Sequence, residues 1–281
     1  ISGAPVTNKI KKNYKLRQLG FQEMDVINIV DSFTKYAVRI TDPKKIRYEI
    51  EKCISISQEG RKGPCLIDLP DDIQRVEINP QNQKSFKPKK TKYYINSKSL
   101  NKTIQLIKNS KKPLIILGNG IKNLKKINEL NKFIKKTSFP YAPTWGAIDL
   151  FNYNDKMNIG SFGVYATRYG NYAIQNSDLL IVLGSKLDGT LIGGNPKLFS
   201  PKSKKIHVDI DKAELNEENF VKNDCSFNCD INFFLKKINK KLKKQLKKEE
   251  WLKQIYSWKK NNPVVLKKYI KEKKFVNPYI F

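Results

Sequence analysis

Arginine is scarce in this sequence: six of its 55 basic residues are arginine, at Arg17, Arg39, Arg47, Arg61, Arg75 and Arg168, and the other 49 are lysine. A specific nucleic-acid reader needs a focused basic face, preferably with forked arginine contacts or stacking aromatics. These lysines lie on nearly every surface segment, so the charge of +29 reads as compositional bias and no specific nucleic-acid partner is expected. Histidine is almost absent, with His207 alone, and the four cysteines are Cys53, Cys65, Cys225 and Cys229. Cys225 and Cys229 form a CxxxC without a nearby histidine, which argues against zinc and leaves reduced thiols of a cytoplasmic protein. Long apolar runs are missing, as is an opening of the charged-then-apolar kind, so neither a membrane span nor a signal peptide is expected. P-loop, nucleophile-elbow and metalloprotease signatures are absent as well.

What the sequence does contain is enough to fold. Its 281 residues are 39% hydrophobic and 11% aromatic, which suits one full domain plus part of another. It opens on Ile1 and stops at NPYIF, where a new apolar segment begins, so both ends read as cut from something longer. Apolar spacing from Glu23 predicts a helix, and YAVRI, 36–40, a strand. Asp42 and Pro43 open a helix over 44–58, and CLIDLP, 65–70, reads as a fully buried strand. Residues 77–96, rich in Lys, Gln, Asn and Pro, predict a linker between a first domain, 1–76, and a second, 97–240.

The second domain alternates predicted helices (97–109, 124–135, 169–176) with apolar strands (113–120, running into a glycine turn, then 139–144, 178–184 and 205–211). That pattern predicts a doubly wound α/β fold with a parallel sheet, preceded by the carboxyl-terminal part of another α/β domain. Beyond Asp230, Phe234, Ile238, Leu242 and Leu246 recur four apart and the stripe continues through Leu252 and Ile255. A basic amphipathic helix of this kind serves either a membrane surface or docking on its own domain, and docking is expected here.

Ligands of parallel sheets bind beyond the carboxyl ends of the strands, and those ends carry GNG (118–120), APTWG (142–146), GSKLDGT (184–190) and DID (209–211). Glycine lets a backbone approach a phosphate, and an aspartate after a strand can accept from ribose hydroxyls. Each turn alone is equally a tight turn, so a nucleotide cradle and plain connections both stand at this point. His207, inside an apolar strand, reads as structural. The stretch GFQE at 20–23 is open in the same way: Glu23 favours a helix start with Phe21 as a staple, or the stretch belongs to a site.

The run GFQEMDVINIVDSFTKYAVRITDPKKIRYEIEKC, followed by GRKGPCLIDLPDDIQ, resembles the end of the pyrimidine-binding domain of thiamine-diphosphate enzymes, closest to acetolactate synthase large subunits. ILGNG, GVYATRYGNYAIQNSDLLIVLGSKLDG and KIHVDIDKAEL resemble the family's central domain. The resemblance implies that Phe21 and Gln22 line an active site facing the cofactor of a neighbouring subunit, with Lys35 near its entrance. It implies thiamine diphosphate and Mg²⁺ in the complete enzyme, decarboxylation of a 2-oxo acid substrate and transfer of its two-carbon unit. A dimeric or tetrameric homo-oligomer, or a complementary chain carrying the missing domains, is implied too, with 241–281 as a helical linker toward a diphosphate-binding domain.

In the central domain the resemblance implies FAD at Arg61, Gly118, Asn119, Gly120, Thr144, Trp145, Gly184, Ser185, Lys186, Asp188, Asp209, Ile210, Asp230 and Ile231. Four positions depart from the family: Lys186 and Thr190 stand for arginines, Gly189 for an acid and Phe162 for a histidine. Lysine lacks the forked contact of arginine, so weak FAD or ADP binding, or an empty domain, is the alternative. The activating glutamate and the GDG…N metal motif of the family have no match in these residues. The expected function is therefore a fragment or split part of an acetolactate synthase-like enzyme, inactive alone, or else a non-catalytic adenine-nucleotide-binding or interaction module.

Overall fold

The computed structural model describes the chain except residues 12–14, 90, 125–126, 217–220, 243–245, 273, 279 and 281. It divides into two compact units, Ile1–Lys92 and Tyr93–Phe281. The division falls inside the segment read as a linker. Residues 83–86 of that segment nonetheless belong to the first unit: Gln83 accepts from the Arg47 N–H at 3.0 Å, and the Phe86 N–H donates to Glu51 at 2.7 Å.

In the first unit three parallel strands, β1 (Ser2–Ala4), β2 (Tyr36–Arg39) and β3 (Cys65–Pro70), lie in the order β1-β3-β2. The helix Ile46–Gln58 crosses between β2 and β3 and buries Cys53 against Ile40, Ile67 and Ile73. β1 has no counterpart in the sequence reading, because SGA carries no apolar period. Its place is fixed by Ser2, whose hydroxyl donates to the fully buried Asp68 at 2.7 Å. The helix expected from Glu23 is shorter, Val26–Val30.

In the second unit five parallel strands, β4 (Pro113–Leu117), β5 (Tyr141–Pro143), β6 (Leu179–Leu183), β7 (Lys204–Asp209) and β8 (Cys225–Asn228), stand in the order β5-β4-β6-β7-β8. Every pairing is parallel. Alternate side chains of one strand point to opposite faces, and the sheet uses both. Ile115, Leu117, Ile181 and Leu183 pack under the helices Ser97–Asn109, Asn128–Thr137 and Ile231–Lys241. Leu114, Ile116, Leu180 and Val182 pack under Arg168–Asn176 and Glu249–Asn261. The doubly wound reading holds, and it explains why β4 and β6 are apolar at every position.

The amphipathic run beyond Asp230 is two helices instead of one. The first ends at Leu242, which leaves the helical region (φ −80°, ψ 106°), and the ammonium of Lys136 closes its end by donating to the carbonyls of Asn239 and Leu242, each at 2.6 Å. A cation on exposed terminal carbonyls also meets the negative end of the helix dipole. Residues 243–245, through which the stripe was expected to run on, lie outside the described residues. Phe234, Ile238 and Leu242 are buried on one face of the sheet, Trp251 and Ile255 on the other, so the apolar stripe docks on its own domain. The Trp251 indole donates to the Pro113 carbonyl at 3.0 Å and anchors the second helix at the start of β4. The helix expected over 124–135 is displaced: a 3-10 turn occupies Asn119–Asn123, the α-helix is Asn128–Thr137, and 125–126 lie outside the described residues.

Candidate functional site

In the first unit the loop 16–24 is organised by Glu23. Its carboxylate accepts the backbone N–H groups of Lys11 at 2.8 Å, Leu19 at 2.7 Å and Gly20 at 3.3 Å. The Leu19 N–H, foremost among these donors, holds the carboxyl below its ordinary range. This is a loop clamp and not a helix cap, since Asp25 precedes the Val26–Val30 helix and Glu23 points back into the loop. Gly20 has no room for a side chain: a Cβ there would lie 2.6 Å from Cβ of Pro5. Arg39 fixes the far end, pairing with buried Asp68 and donating to the Met24 carbonyl at 3.0 Å. Held at both ends, the loop raises Phe21 to 87% exposure and places Gln22 in the left-handed region, φ 57°. The staple reading of Phe21 is thereby replaced, because a ring this exposed does not pack on the helix start.

Lys35 sits elsewhere in the unit. Its ammonium donates to the carbonyls of Ile56 and Glu59 at the end of the Ile46–Gln58 helix, where it acts as a cap. Arg61 follows that helix on an exposed turn.

In the second unit the strand order reverses between β4 and β6, the place where open α/β sheets form their ligand crevice. The two strands leave the sheet through GNG and GSK, and these loops touch. The Gly118 N–H donates to Leu183 O and the Gly120 N–H to Gly184 O, both at 2.9 Å. A Cβ on Gly118 would stand 2.1 Å from the Gly184 carbonyl oxygen, and one on Gly184, φ 60°, would stand 2.7 Å from Ile231 Cδ1. Close approach of two loops therefore requires these glycines.

Around the crevice, Thr144 and Ser185 are buried, while Trp145 at the end of β5 keeps 53% of its surface. Gly146 lies against Asn119, with 2.9 Å from a Cβ there to Asn119 Cβ. Asp209 ends β7, and its carboxylate accepts from the Asp211 N–H at 2.9 Å. Ile210 follows it, and its carbonyl accepts from the Asn228 amide at 2.8 Å. Asp230 caps the Ile231–Lys241 helix by accepting from Phe233 N–H at 3.0 Å. Asp188 caps Gly189–Ile192 and accepts from both the N–H and the hydroxyl of Thr190, at 2.9 and 2.5 Å; the hydroxyl contact foremost lowers its pKa. Lys186 faces Glu214 at 3.9 Å. Phe162 is buried against Phe199. His207, beneath the crevice, has its Nε2 3.0 Å from the Ser185 carbonyl, and burial pushes its pKa down to about 4.

The structure thus gathers Gly118, Asn119, Gly120, Gly184, Ser185, Asp209 and Ile231 at the carboxyl ends of adjoining strands, with Thr144 and Trp145 beyond β5. Phe21, Gln22, Lys35 and Arg61 belong to the other unit. Glu214 and Asn228 were missed: their roles, facing Lys186 and bracing the turn after Asp209, join residues far apart in sequence. The Asp188–Thr190 contact was open to detection, since D-x-T at a helix start is a capping pattern. Among the described residues no group of His, Cys, Asp and Glu is arranged to hold a metal ion, and no helix is long and apolar enough to cross a membrane.

Residues 100–238 match the family model described as thiamine pyrophosphate enzyme, central domain. The chain is 31% identical over 202 residues to acetolactate synthase 2, chloroplastic, of Nicotiana tabacum, covering 69% of this chain and 30% of that protein. With the acetolactate synthase large subunit of Cyanidium caldarium it shares 30% over 257 residues, 87% of this chain and 43% of the relative. With acetolactate synthase isozyme 1 large subunit of Escherichia coli the identity is 32% over 196 residues, 69% and 34% of the two. The chain spans between 30% and 43% of the length of these relatives.

Proposed function

Because the chain belongs to the acetolactate synthase-like thiamine-diphosphate enzymes, we propose that it forms part of an enzyme that decarboxylates a 2-oxo acid and joins the remaining two carbons to a second carbonyl compound. Thiamine diphosphate, bound with Mg²⁺, supplies the carbanion for that chemistry. This chain supplies a wall. The observation that carries the reading is the clamped loop at Glu23, which lifts Phe21 and Gln22 out of their own unit for something else to cover. Leu16, Leu19 and Met24 of the same loop, and Ile29 and Phe33 of the helix and turn that follow it, are each about half exposed or more and offer apolar surface to a second copy or a complementary chain. The free thiols suit a reducing compartment, and the cytoplasm is the location proposed.

For the central domain we propose an adenine-nucleotide site, FAD or ADP, at the crevice between β4 and β6. Asp209 suits a ribose and the exposed Trp145 ring an adenine. The diphosphate is served less well: Lys186 stands opposite Glu214, and Thr190 satisfies Asp188 in place of a cation. Weak binding follows, because each charge-assisted contact contributes about 1.5 to 3 kcal/mol.

Pyruvate consumption by the protein as encoded in its gene, with thiamine diphosphate and Mg²⁺ supplied, tests the reaction. Turnover that falls at least about tenfold in Phe21→Ala, one contact's worth of free energy, agrees with the reading. Absence of turnover from a folded protein supplied together with the chain or domains that carry the family's activating glutamate and GDG…N motif, or an unchanged rate in the variant, contradicts it.

A further inference from the structure

A cleft of 290 Å³ lies between residues 161–168 and 261–269 of the second unit. Arg168 lines it. This is the only arginine of residues 93–281, and among the described residues its guanidinium makes neither a hydrogen bond nor an ion pair. The contrast with Arg39, Arg47 and Arg75 is clear, since each of those holds a carboxylate. Among the described residues no acidic side chain lines the cleft, and its wall includes Tyr165 and Tyr269. Tyr165 is 73% exposed and leans on Trp145, ring centres 5.6 Å apart. The adjoining Thr167 hydroxyl is already engaged, accepting from the Gly170 N–H at 3.1 Å and donating to the Ser161 carbonyl at 3.3 Å. The guanidinium is therefore the charged group the cleft offers.

We propose that this cleft binds a small organic anion, a single carboxylate or phosphate group on a flat body. The guanidinium fork takes two oxygens of the anion at once, and the body lies against the tyrosine rings, whose faces favour planar partners. A volume near the lower end of ligand sites, about 300 Å³, limits the guest to a small molecule. The cleft adjoins the nucleotide crevice through the contact of Tyr165 with Trp145, and Arg168 tells the two apart, because removing it leaves Asp209 and Lys186 in place.

The test must separate a site from general attraction to a chain of charge +29, which salt weakens. Titrations of the full chain at high salt use phenyl phosphate, benzoate and inorganic phosphate, read by calorimetry and by the fluorescence of Trp145, the tryptophan beside Tyr165. The expected result is one saturable site for phenyl phosphate or benzoate, the better of the two identifying the headgroup, with inorganic phosphate weaker. Arg168→Met should weaken binding at least about tenfold, the worth of one charged contact. Arg168→Lys should fall between, and Lys202→Met, at an exposed lysine of the turn before β7 that does not line the cleft, should match the parent. Binding that survives Arg168→Met, falls equally in Lys202→Met, is as tight for inorganic phosphate, or does not saturate would overturn the proposal. Thermal unfolding of Arg168→Met is expected at the parent temperature, since the side chain supports no hydrogen bond or ion pair among the described residues; should that variant misfold, Arg168→Lys with the three ligands decides.

Discussion

A side chain on Gly118 would place its Cβ 2.1 Å from the carbonyl oxygen of Gly184, so the loops ending β4 and β6 touch at the reversal of strand order. Gly118→Ala should consequently destabilise the protein by about 3 kcal/mol or more, at or beyond the usual range for overpacking. Gly189→Ala, where a Cβ meets nothing within 4 Å, should stay within about 0.5 kcal/mol of the parent. Urea unfolding of the two variants checks the difference.

His207 gives a pH dependence of definite sign. Burial lowers its pKa from 6.5 to about 4 in the folded chain, so between these values the unfolded state binds the extra proton. Stability contributed by the neutral ring is complete above pH 6.5 and falls as pH drops toward about 4, by about 3 kcal/mol in all. His207→Gln keeps a donor for the Ser185 carbonyl and should flatten that part of the curve. Unfolding free energies of both proteins across this pH range provide the measurement.

Glu23→Gln should loosen the loop 16–24, because a neutral amide accepts less strongly from the N–H groups of Lys11, Leu19 and Gly20. In the parent the carboxyl is held below its ordinary range, so its contribution is present above the unfolded value and is lost as pH falls through the folded one. Hydrogen exchange at these three amides is expected to quicken in the variant, with protection of β4 and β6 unchanged.

Much of the fold was legible because the second unit buries its strands on both faces. PLIIL and LLIVL, β4 and β6, admit few other readings. β1 and β8 were invisible for opposite reasons: SGA has no apolar side chain beyond a methyl group, and CSFN, buried at alternate residues, is too short for its period to register. The break at Leu242 was hidden by a stripe that keeps its spacing across it, although the two halves dock on opposite faces. In the site, the glycine turns were legible as turns while their reason was not, since Gly118 meets Gly184 only after 66 residues of chain. The clamp at Glu23 was beyond reach in the same way, because backbone N–H groups partner it and sequence does not single them out.

The surface around Phe21 predicts assembly. Light scattering of the purified chain should report a dimer or tetramer, and Leu19→Asp with Phe33→Asp should shift it toward monomer without loss of far-ultraviolet dichroism, since both side chains are more than half exposed. A monomeric parent would remove the apolar-surface argument.

The adenine-nucleotide site proposed at the β4–β6 crevice is tested by titration of FAD and of ADP into the full chain and its Asp209→Ala variant. The predicted result is one weak site for either ligand, diminished at least about tenfold by Asp209→Ala, and tightened for FAD by Lys186→Arg with Thr190→Arg. A protein that keeps stoichiometric FAD through purification, or a folded protein that binds neither ligand, would contradict it.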